Sequence, residues 1–160
     1  MTEFDPAEHR MVSEQRWFED FALGERFVTS RTMTTAVFAA FQAASGDTHP
    51  VHYDAEYCRA RGMPNLLAHG FQTLIHTAPG SGLFPFMVEE SLVGFLEQSS
   101  RFLNPVFADD TIYPALEVSE LTPGRTTGVV TLRSTVFNQR GELVLEGIQK
   151  FLIRRRPASQ

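Results

Sequence analysis

Ser45-Gly46-Asp47-Thr48-His49-Pro50-Val51-His52 places a carboxylate and an imidazole five residues apart in a segment interrupted by proline. On a helix, residues at that spacing lie too far around the circumference to converge. Pro50 fixes its own φ and cannot continue a helix, so the chain must turn here and Asp47 and His52 can face one pocket. An imidazole that titrates near neutrality and a carboxylate tuned by burial or by neighbouring charge could share the two proton movements of an addition or elimination. The same Gly-Asp-x-x-Pro string is also plain loop chemistry, in which the Asp side chain holds nearby amides. Spacing alone leaves both readings open.

A second group of residues, Ala68-His69-Gly70-Phe71, stands where an apolar helix is predicted to begin. Free backbone N–H groups and the positive end of the helix dipole favour developing negative charge there, and Gly70 lets a carbonyl oxygen approach the main chain closely. The competing reading is structural: Gly70 permits tight packing and His69 caps the helix. Taken together the two groups make a more specific proposal than either alone, because one polarises a carbonyl while the other handles protons. His49, His52, His69 and Asp54 could be gathered into a metal site, but Pro50 splits His49 from His52 and the proton chemistry is complete without an ion, so no metal is expected. Gly80-Ser81-Gly82 lacks the third glycine and the strand-turn-helix setting of a dinucleotide fingerprint and reads as a turn. Cys58 is the single cysteine, which rules out an intrachain disulfide and a cysteine-based zinc site and suits a reducing cytosol.

The elements that must position these residues follow from pattern. Residues 1–24 are polar and mixed and read as an arm that docks through Trp17, Phe18 and Phe21. A first strand is predicted over Glu25 to Arg31. A helix capped by Thr34 or Thr35 follows, with Val37, Phe38, Phe41 and Ala44 at helical spacing and Gly46 as its stop. Asp54 can cap a short helix through Ala60. His69 to Ala78, stopped by Pro79-Gly80, reads as an apolar helix buried on most sides and forming the hub of the fold. From residue 83 the pattern becomes β-rich: Ser91 to Leu103, Thr111 to Leu121, Arg125 to Asn138 and Glu142 to Arg154, separated by turn residues. Helices first and consecutive antiparallel strands afterwards predict an α+β domain over residues 25–156, with 157–160 as a tail.

The chain has 160 residues, a length that fits one domain. Its net charge of −5 argues against a nucleic-acid surface. The one basic run, Arg154-Arg155-Arg156, reads as a solvated terminus rather than a phosphate site. No segment reaches the ~18 apolar residues of a membrane span, and the acidic, polar N-terminus is no secretory signal. The expected location is cytoplasmic.

Phe41-Gln42-Ala43-Ala44-Ser45-Gly46-Asp47-Thr48-His49-Pro50-Val51-His52 resembles the signature of the MaoC-like (R)-specific enoyl-CoA hydratases. Ala68-His69-Gly70, Arg101-Phe102-Leu103-Asn104-Pro105-Val106 and Asp109-Asp110-Thr111 resemble later stations of that family in the same order. The resemblance spans about residues 20–156. It implies a hotdog fold, an antiparallel sheet wrapped around a central helix, and a homodimer whose sheets join. It also implies syn addition of water to a trans-2-enoyl thioester carried by coenzyme A or acyl carrier protein, without a cofactor or metal. Carried over by position, the acid and base are Asp47 and His52, and the thioester oxygen lies near the Gly70 amide, with His69 and His49 expected around the substrate. Two departures stand out: His49 occupies the place of the family's usual Asn, and Cys58 that of a small residue, where a buried thiol behaves as a small hydrophobe. Hotdog thioesterases, which place a carboxylate on or near the central helix, are the alternative activity, but His69 to Ala78 contains no Asp or Glu. A non-catalytic acyl-thioester binder is the other.

Overall fold

The computed structural model describes residue 12 and residues 14–78 and 82–157. Pro79-Gly80 and most of the Gly80-Ser81-Gly82 turn lie outside the described residues, as do half of the arm and the last three residues of the tail. Two short strands, β1 (Arg26–Val28) and β2 (Arg31–Thr32), are followed by α1 (Thr35–Ser45), a 3-10 turn (Pro50–His52), α2 (Ala55–Arg59), α3 (Gly70–Ile75) and α4 (Phe84–Met87). Four long strands complete the chain: β3 (Leu92–Phe102), β4 (Thr111–Pro123), β5 (Thr127–Asn138) and β6 (Leu143–Arg154). They form one antiparallel sheet in the order β1-β4-β5-β6-β3, with β2 also on β4. The α+β reading and the four long strands are borne out.

Local chemistry explains the helices that frame the site. Thr34 Oγ1 accepts from Val37 N–H at the start of α1, and Gly46, at φ 74°, ends it in the left-handed region that glycine adopts without penalty. Asp54 Oδ1 accepts from Tyr57 N–H at 3.0 Å and caps α2. The helix α4 falls where only strand was read; Pro85 suits the first turn of a helix, and Phe84, 1% exposed, fills core space beside Phe21 and Phe151.

The core has two lobes. One gathers Phe18, Phe21, Phe84 and Val88 against Leu116, Val130, Leu132, Phe151 and Ile153, and the other gathers Met33, Phe38, Ala68, Val106 and Ile112 against Val136 and Leu145. On β5 and β6 the lobes are separated by Ser134, Gly147 and Gln149. This seam corrects the expectation for His69 to Ala78. Only six residues are α-helical, and the side chains α3 buries are the polar Gln72 and Thr73. Just past it, Thr77 is tied to the sheet through Gln149 Nε2, which donates to Thr77 O at 3.0 Å and to Thr77 Oγ1 at 2.8 Å. Phe71 is 68% exposed instead, edge-on to Phe102.

The basic run is also not free. Arg155 pairs with Glu19 and Arg156 with Asp20, both at 2.6 Å, which ties the end of β6 to the 3-10 turn Phe18–Asp20. The hydrogen bond from Arg155 and the Arg156 amide hold the Glu19 carboxyl down at about 2.

Candidate active site

Asp47 follows the left-handed Gly46, and its two carboxylate oxygens have different work. Oδ1 accepts from His49 N–H at 3.3 Å, the loop-holding role the sequence allowed. Oδ2 turns toward two imidazoles, 3.8 Å from His52 Nε2 and 3.9 Å from His69 Nε2. The loop reading is met by Oδ1, and Oδ2 is left facing the two imidazoles.

His52 closes the 3-10 turn that Pro50 initiates and is 8% exposed. Its Nδ1 lies 2.6 Å from Leu67 O. A carbonyl oxygen only accepts, so Nδ1 carries the proton and Nε2 presents a lone pair toward Asp47. Burial is the strongest influence on this imidazole and pushes its pKa below 6.5, with His69 and His49 acting in the same direction against the Leu67 hydrogen bond and Asp47. At neutral pH the His52 ring is therefore uncharged.

His69 stands before α3 but does not use its ring to cap it. Its Nε2 is 3.0 Å from Asp47 O and its Nδ1 3.2 Å from Gln72 Oε1, while the ring stacks on His52 at 3.4 Å between centroids. His49 Nδ1 accepts from Val51 N–H at 3.2 Å, so this ring caps the 3-10 turn, with its edge toward Tyr57 and its centroid 6.2 Å from that of His52. Gly70 opens α3, and no acceptor is paired with its N–H among the described residues. Cys58 is 1% exposed, its thiol donating to Val51 O.

Ligand atoms of Asp47, His52 and His69 lie within 4.8 Å of one another, close enough in principle for a metal ion. The set differs from the sequence grouping, because His49 and Asp54 are occupied as caps. It also fits an ion poorly: His69 Nε2 faces a carbonyl, so it carries a proton and has no lone pair to give. Beside Gly70 a cavity of about 290 Å³ is walled by Leu67, Ala68, Thr73, Phe102 and Val106. Of the site groups that cavity is lined by Gly70 and not by Asp47, His52 or His69, and a cleft of about 370 Å³ bordered by Ser99, Arg101, Arg133 and Ile148 contains none of them. Chemistry, not size, selects the site.

Gln72 and the Leu67 carbonyl were missed in the sequence. Gln72 had a signal, since a Gln three residues after a helix-opening position is the spacing of a capping box, and its Oε1 does accept from His69 N–H at 3.3 Å. A backbone carbonyl has no signature of its own.

A six-stranded antiparallel sheet accompanied by a few short helices is the hotdog architecture. Solved structures share the architecture. A monoamine oxidase regulatory protein from Archaeoglobus fulgius superposes with a TM-score of 0.81 at 31% identity, covering 92% of this chain and 99% of that one. A Mycobacterium tuberculosis protein with a double hotdog fold gives 0.75 at 26% identity, covering 91% of this chain and 46% of that one. The (R)-specific enoyl-CoA hydratase of Aeromonas caviae is 27% identical over 133 residues, 81% of this chain and 92% of its own. The family model described as MaoC like domain matches residues 20–139, and the chain belongs to that family.

Proposed function

We propose that the chain adds water to a trans-2-enoyl thioester, or in reverse dehydrates an (R)-3-hydroxyacyl thioester, with Asp47 and His52 as its acid-base pair. The supporting observation is the 3.8 Å between Asp47 Oδ2 and His52 Nε2. That gap is too long for a hydrogen bond, and a carboxylate oxygen and the unprotonated Nε2 are both acceptors with no hydrogen to offer each other. A water molecule between them satisfies both and is polarised by both. As its oxygen bonds to C3 of the enoyl group, the pair takes one proton from the water and returns one to C2, so it ends as it began. Which member acts as acid is a property of the coupled pair.

The thioester oxygen, which gains enolate character, is assigned to the Gly70 N–H, with the acyl group toward the adjacent cavity. The activity of the Aeromonas caviae relative supports the same reading. The partner is a second copy of the chain, since β3 is an edge strand with Leu92, Val93, Phe95 and Leu96 exposed.

Thioester hydrolysis is the competing activity, and one assay separates the two. Purified protein is incubated with crotonyl-CoA while enoyl absorbance and free thiol are followed together. Loss of absorbance without thiol is expected. Thiol release would identify a thioesterase, and no change in either would favour a binding subunit.

A further inference from the structure

We propose that His69, braced by Gln72, is a positioning residue that sets the distance between Asp47 and His52, and that it does not touch the substrate. The inference rests on the Asp47 and His52 reading and adds the device that makes their spacing fixed.

Both members of the pair are tied to one short segment. Leu67 O holds His52 through Nδ1 at 2.6 Å, and two residues later His69 Nε2 holds the Asp47 carbonyl at 3.0 Å. The segment is itself anchored on both sides: Ala68 N–H donates to Val106 O at 2.8 Å, Leu67 N–H to Val51 O at 3.0 Å, and Leu67 forms a bridge with Phe107. Asp47 sits on a loop whose other bonds, to Ser45 Oγ and His49 N–H, are local. Among the described residues, His69 supplies the one hydrogen bond from Asp47 to an element beyond that loop.

The ring has nothing left for a ligand. Its Nε2–H is given to Asp47 O, its Nδ1 lies 3.2 Å from the side-chain amide of the fully buried Gln72, and the ring packs against His52 and, at 4.8 Å, Phe41. A residue 4% exposed whose Nε2–H is already given to Asp47 O has no donor left for the thioester oxygen, which the sequence reading allowed it. Its influence passes through Asp47 and through the ring stacked on His52. Fixed geometry of this kind matters because a displacement of about 1 Å at a reacting group can cost roughly 100-fold in rate.

The test uses His69→Phe, which keeps a buried ring and deletes both polar contacts, with Gln72→Leu and the double variant. His69→Phe is expected to lower kcat by roughly 10- to 100-fold with KM within about twofold. Gln72→Leu should lower kcat less, and adding it to His69→Phe should change little, because Gln72 acts only through His69. The acid limb of kcat/KM should also move upward in His69→Phe, since His69 is one of the groups that hold His52 down. Unchanged kcat, a defect confined to KM, or independent effects of the two substitutions would overturn the proposal. Should His69→Phe fail to fold, Gln72→Leu alone decides by the same split between kcat and KM. Asp47→Asn and His52→Ala are assayed alongside: if they stay active the acid-base reading fails, whereas if they are inactive and His69→Phe is not, only the positioning role fails.

Discussion

At the scale of residues, the site depends on protonation states fixed by carbonyl oxygens. Leu67 O makes Nδ1 of His52 the protonated nitrogen and leaves Nε2 free, while burial lowers the affinity of that ring for a second proton. If His52 is the base, kcat/KM is full at neutral pH and falls as pH drops, with its midpoint below the ordinary 6.5 of a histidine. A pH-rate profile with its acid midpoint above that value would contradict the assignment. A methyl group at Gly70 would come within 3.3 Å of the Phe102 ring, so Gly70→Ala must shift either that ring or the start of α3. Turnover should drop by roughly tenfold or more with only a small change in melting temperature, and a wild-type kcat would remove Gly70 from the oxyanion assignment. Asp47 and His52 were legible because their side chains declare their chemistry and Pro50 forces the bend. The contacts that orient them were not, because a main-chain oxygen looks the same in every residue.

At the scale of elements, the caps were readable and the burial of α3 was not. Thr34, Gly46 and Asp54 act within a few residues of themselves, so sequence order carries their meaning. Just past α3, Thr77 meets Gln149 more than seventy residues away, and periodicity cannot show a partner at that distance. Asp54→Ala should cost about 1 kcal/mol, a fall of roughly 2–4 °C in melting temperature, and no loss on thermal denaturation would refute the cap. Asp110, in the turn before β4, is 5% exposed. Burial alone would raise its pKa, but hydrogen bonds from Arg140, Phe107 N–H and Gln139 outweigh burial and leave it lowered. Its stabilising contribution is therefore complete above the unfolded value and is lost as pH falls through the lower folded value. The melting temperature should fall as pH drops below the unfolded value of 3.8, and less in Asp110→Asn, which has already lost the charge. Equal pH dependence of the two proteins would place the acid sensitivity elsewhere.

For the whole molecule, the hotdog architecture came from resemblance, and the strand order and the two-lobed core needed the structure. Residues scattered along the chain form a polar seam only after β5 and β6 pair, so no local window contains it. The edge strand β3 with its exposed Phe95 and Leu96, beside an outward-facing Phe71, is the surface on which a second copy is expected. Sedimentation should give about twice the 18.0 kDa of one chain, and Leu96→Glu should shift the mass toward the monomer. A wild-type monomer would contradict the dimer. The central claim concerns Asp47 and His52, and the most direct measurement is the rate of enoyl absorbance loss on crotonyl-CoA for the wild type, Asp47→Asn and His52→Ala at neutral pH. Losses of roughly 100-fold or more in each variant, with folding intact, are the expected result; full hydratase activity in either one would contradict the assignment of that residue.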